Sequence, residues 1–136
     1  MRETAVVNVP RRDFEQTVME AMGDTGVRPV LYRQQTDFDM GKVRYGVVNL
    51  FAPWAGPCFV CLKILAAMKL PTPEPWLHVV DLSDVTAEWL ADTFGLMPHG
   101  RGETFWVRDG KIIAQDEAFA MRPADIAVHT KALFRG

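Results

Sequence analysis

Residues Val47–Cys61, VVNLFAPWAGPCFVC, constrain the fold of this chain more than any other stretch. Val47–Ala52 is an almost unbroken apolar run of strand length, as a central strand covered on both faces requires. Trp54, Ala55, Gly56 and Pro57 follow it, and Pro57 suits the first turn of a helix. The next run carries Phe59, Val60, Leu62, Ile64, Leu65, Ala66, Ala67 and Met68, broken only by Lys63 and Lys69. A helix that apolar all round is largely buried. A buried strand feeding a buried helix seeds a layered α/β domain.

The rest of the chain supplies partners for that unit. Val6–Val9 reads as a short strand. Asp13 with Gln16 makes a capping-box-like pair, and Phe14, Val18 and Met22 fall on one helix face that Gly23 closes. Pro29–Arg33 is a strand candidate, and Gln34–Tyr45 is a polar loop or hairpin. The helix predicted over Pro57–Leu70 stops at the PTPEP tract of residues 71–75, because proline cannot continue a helix. Leu77–Leu82 reads as a second central strand. Ser83 or Asp84 is the expected cap of a helix carrying Val85, Trp89, Leu90 and Phe94, with Gly95 ending it. Glu103–Arg108 and Lys111–Gln115 flank Asp109-Gly110, a strong hairpin signal. Pro123 opens a last helix with Ile126, Leu133 and Phe134 inward.

The segment Trp54-Ala55-Gly56-Pro57-Cys58 after an apolar strand resembles the W-C-G-P-C site of the thioredoxin family. Phe94-Gly95 followed by Phe105-Trp106-Val107-Arg108-Asp109-Gly110-Lys111 is similar to that family's downstream pattern. The resemblance implies a thioredoxin-like α/β fold: a mixed central sheet flanked by helices, here with an enlarged N-terminal region. It covers the chain as a single domain, residues 1–136, apart from an extra segment at 24–45.

A thioredoxin-type site uses a thiolate at a helix N-terminus, where the helix dipole lowers its pKa. That thiolate attacks a disulfide, and a second cysteine resolves the mixed disulfide. By the resemblance, Ala55 stands where the attacking cysteine belongs and Cys58 stands in the resolving position. Asn49 takes the place of the family's buried aspartate. The region of its cis-proline is Arg101–Thr104, which has no proline, and Lys63 stands near the place of a kinking helix proline. These departures favour a protein-binding or assembly module that has lost ordinary disulfide exchange. Its partner surface would comprise Trp54, Ala55, Gly56, Pro57, Arg101, Gly102, Glu103 and Thr104. The alternative is an atypical thiol–disulfide oxidoreductase using Cys58 and Cys61 as a shifted redox pair. Free cysteine also packs as a small hydrophobe, which is the simplest role for Cys61.

Composition narrows the classes further. Fifteen basic and 17 acidic residues give a net charge of −2, so no single-sign field favours nucleic acid or an anionic membrane surface. No apolar run approaches membrane-spanning length, and the N-terminus lacks a signal-peptide core. Two cysteines are too few for a secreted disulfide framework, so a cytoplasmic location is expected. His78, His99 and His129 are too scattered to join the cysteines in a metal site. No cofactor is expected.

Overall fold

The apolar run around Val47 forms the strand on which the domain is built. The computed structural model describes residues 14–23, 26–52, 56–68, 70, 75–95, 103–116 and 122–134 of the 136. Its strands are β1 (Val30–Tyr32), β2 (Tyr45–Phe51), β3 (Leu77–Asp81), β4 (Thr104–Arg108) and β5 (Lys111–Asp116). Its α-helices among the described residues are α1 (Phe14–Met22), α2 (Gly56–Ala66), α3 (Ala87–Phe94) and α4 (Pro123–Ala132). The strands form one sheet in the order β1-β3-β2-β4-β5. β3 runs parallel to both β1 and β2, whereas β4 is antiparallel to β2 and to β5. This is the mixed sheet that the sequence predicts.

Alternation along β2 divides the core into two. Val47 and Phe51 join Val79 and Trp106 in one cluster, with Phe14 and Val18 of α1, Leu62 and Leu65 of α2, and Ile126 of α4. Val48 and Leu50 join Val80, Phe105 and Val107 in the other, with Phe38 and with Leu90 and Phe94 of α3. Helices therefore pack on both faces of the sheet, each burying the apolar stripe read from the sequence.

Several boundaries differ from expectation for identifiable reasons. The Val6–Val9 strand and the Asp13 cap lie outside the described residues. The edge strand is Val30–Tyr32, so part of segment 24–45 belongs to the sheet itself. The Gln34–Tyr45 stretch is no hairpin: it forms two 3-10 turns, Gln35–Asp37 and Met40–Lys42, and buries Phe38 between them. Helix α2 ends at Ala66, short of Leu70. There the Ala67 N–H is shared between the Lys63 and Ile64 carbonyls, the tightening that ends a helix in a 3-10 turn. Helix α3 is capped by Thr86, whose hydroxyl accepts from the Trp89 N–H at 3.1 Å. Ser83 lies instead in a 3-10 turn, Leu82–Asp84, where its N–H donates to Asp81 Oδ1.

The β4–β5 hairpin turns at Asp109 (φ 51°) and Gly110 (φ 77°), the left-handed pair that the Asp-Gly sequence favours. Arg108 pairs with Lys111 and Val107 with Ile112, but Trp106 pairs with Ala114. Ile113 is thus the extra residue of a bulge. Beyond it the register is displaced by one, and Asp116 rather than Gln115 lies opposite Thr104.

Candidate functional site

The segment carrying the sequence signature ends β2 and opens α2. Helix α2 begins at Gly56, so Cys58 sits in its first turn and Cys61 one turn deeper. Cys58 is therefore not the residue that starts the helix, as a redox pair shifted by three residues would need. Neither cysteine is in a disulfide, and both are fully buried. The Cys58 sulfur accepts from the Ala52 N–H at 3.4 Å and donates to the Leu50 carbonyl at 3.9 Å.

Cys61 belongs to a polar island inside the core. Asn49, on β2, donates its side-chain amide to Thr104 Oγ1 at 3.1 Å and to Cys61 Sγ at 3.5 Å. Cys61 Sγ lies 3.3 Å from Thr104 Oγ1. Asn49 and Thr104 are cross-strand partners, so the sheet register alone brings them together. The buried Asn49 Oδ1 has no hydrogen-bond partner among the described residues. Burial pushes the Cys61 thiol up to about 12, opposed by the Thr104 hydrogen bond and reinforced by the negative charge of Asp116 and by Cys58. At neutral pH this sulfur is a thiol, and it lacks the electropositive, solvent-reached setting that activates a cysteine.

The expected partner surface resolves unevenly. Gly56 is exposed at the start of α2. Glu103 and Thr104 are fully buried, so their side chains are not exposed to a partner. Their position follows from strand pairing, because the Leu50 N–H donates to the Glu103 carbonyl at 2.9 Å. Trp54, Ala55, Arg101 and Gly102, and also Pro98 and His99, fall outside the described residues. No peptide bond among the described residues is cis.

Sequence reasoning missed Asp116 as a neighbour of Cys61. Counting back evenly from the Asp-Gly turn places Gln115 opposite Thr104, and only the bulge at Ile113 brings Asp116 there. Among the described residues no three His, Cys, Asp or Glu side chains gather to hold a metal ion. No described helix is long and apolar enough to cross a membrane.

The architecture is shared with solved thioredoxins. Thioredoxin O2 from Arabidopsis thaliana, in its oxidized state, superposes with a TM-score of 0.64 at 14% identity, covering 86% of this chain and 98% of that one. Fasciola hepatica thioredoxin gives 0.57 at 20% identity, covering 76% of this chain and 97% of its own. Mitochondrial thioredoxin 3 from Saccharomyces cerevisiae gives 0.58 at 16% identity, over 76% and 93% of the two chains. No protein-family model matches the sequence, and no curated protein sequence does. At these identities the likeness is one of fold: the chain has the thioredoxin fold.

Proposed function

We propose that this chain is a protein-binding or assembly module that keeps the thioredoxin scaffold without its disulfide exchange. The observation that carries this reading is the complete burial of both thiols, Cys58 and Cys61. A disulfide-exchange nucleophile must reach a sulfur on another molecule as a thiolate. Cys61 is buried with its pKa pushed up to about 12. Cys58 is enclosed by the backbone of Leu50 and Ala52. The residue at the usual attacking position is Ala55, which has no nucleophile.

The partner surface is assigned to Trp54, Ala55, Gly56, Pro57, Arg101 and Gly102; Glu103 and Thr104 are buried. A protein partner in a cytoplasmic setting fits the near-neutral charge. The reading is tested by adding the purified protein to insulin and dithiothreitol and following disulfide reduction. The module predicts the rate of dithiothreitol alone. An acceleration abolished by Cys58→Ser would replace it with the oxidoreductase reading, in which Cys58 and Cys61 form the redox pair.

A further inference from the structure

The edge strand β1 is held by an unusual contact. It is three residues long and, among the described residues, pairs with β3 alone, Val30 facing His78 and Tyr32 facing Val80. Tyr32 Oη lies 2.8 Å from His78 Nδ1, and the two rings stack at 5.8 Å between centroids. The opposite side of the imidazole lies against β2. A methyl group built on Gly46 would sit 2.7 Å from His78 Cδ2 and 2.8 Å from Nε2, and 2.9 Å from Val43 Cγ1. Glycine at position 46 thus leaves room for the ring and for nothing else. Tyr32 also meets Phe38 edge to face at 5.0 Å, and Phe38 stacks on Phe94. The Tyr32–His78 contact therefore ties the sheet edge and the aromatic cluster under it to the centre of the fold.

We propose that the Tyr32–His78 pair is an acid-operated catch, releasing strand β1 from β3 when the imidazole takes up a second proton. Neutral imidazole fits the slot as one donor and one acceptor, with Tyr32 Oη as its partner at Nδ1. The imidazolium has two N–H donors and a positive charge, in a buried slot that the Gly46 backbone closes on one side. Of the elements packed on the ring, β1 offers only the Tyr32 phenol, which burial keeps neutral. β2 offers Gly46 and Val48, the residue in register with His78, neither of which titrates. Burial lowers the His78 pKa from 6.5 to about 4. The released form, which returns His78 to water, binds the proton more tightly and is favoured as pH falls from about 6.5 toward 4. Release leaves the β3 edge with unpaired backbone groups and uncovers Tyr32 and Phe38.

The test is native-state hydrogen exchange on the whole chain at pH 7 and pH 5, corrected for intrinsic rates. The β1 amides are expected to exchange faster than those of β2 through an opening insensitive to low denaturant. The change of pH is expected to raise their opening about 20-fold, the factor that follows from pKa values of 6.5 released and about 4 closed. His78→Gln, which keeps a hydrogen-bonding side chain but does not titrate, is expected to abolish the rise. The proposal is overturned if β1 is protected as well as β2 at both pH values, or if the rise survives in His78→Gln. Should that variant not fold, the His78 ring is titrated by NMR in the unaltered protein. A midpoint near 4 supports the catch, and a midpoint of 6 or above overturns it.

Discussion

The side-chain amide of Asn49 spans 3.1 Å to Thr104 Oγ1, joining β2 to β4 at the point where both residues touch the sulfur of Cys61. The contact explains why asparagine suits this buried position. Its amide supplies a donor to two neighbours that accept, which a carboxylate cannot do.

Replacing Asn49 by aspartate therefore puts an acid into a core site near a second acidic group, Asp116. Asn49→Asp is expected to lose roughly 2–4 kcal/mol at pH 7, through lost hydrogen bonds and the cost of keeping a buried carboxyl protonated. The folded state must hold this carboxyl protonated, so its pKa rises above the unfolded value. The loss shrinks as pH falls toward the ordinary carboxylate range and is largest above it. Asn49→Leu also removes the unpartnered Oδ1 and is expected to cost less, about 1–2 kcal/mol. Denaturant unfolding of both variants at pH 7 and 4.5 tests the order and the sign.

Cys61 links stability to pH in the same sense, but in the alkaline range. Its folded pKa is raised to about 12 from an ordinary 9.0, so its contribution is complete below pH 9 and is lost as pH rises toward 12. Unfolding curves between pH 8 and 11 are expected to show a steeper decline in the unaltered protein than in Cys61→Ala. Because the Asp116 charge raises this pKa, Asp116→Asn is expected to shift thiol ionisation, followed by absorbance at 240 nm, to lower pH.

Trp106 is fully buried and donates its indole N–H to Thr130 Oγ1 at 2.9 Å, while the Thr130 hydroxyl donates to the Ile126 carbonyl at 2.7 Å. Thr130→Val keeps the shape but strands the indole N–H. It is expected to cost about 1–3 kcal/mol, read as a lowered denaturation midpoint with unchanged m-value. Thr130→Ser keeps the hydroxyl and is expected to recover most of the loss.

Much of this architecture is legible in the chain because strong local signals agree with the global pattern. The continuous apolar run of Val47–Phe51 announces a central strand, and the all-round apolar helix after it announces burial. Asp109-Gly110 fixes the hairpin turn because a type I′ turn demands positive φ at both residues. The segment at 24–45 is harder, since 3-10 turns carry no amphipathic period and β1 is only three residues long. Thr86 goes unread as a cap because Ser83 and Asp84 precede it with equal capping chemistry, and Asp81 has already claimed the Ser83 N–H. The polar island at the site was half legible. Asn49 stands out in an apolar strand, but Asp116 reaches Cys61 only through a bulge that no periodicity announces.

The central claim is that Cys58 and Cys61 are core thiols and not a redox pair. The direct measurement equilibrates the purified protein in glutathione buffers spanning about −150 to −320 mV, the range of cellular thiol couples. Free thiols are then trapped by alkylation after denaturation and counted by intact mass. The account predicts two free thiols at every potential and no glutathione adduct. A reversible two-electron step joining the two cysteines, or a stable adduct on Cys58, would contradict it.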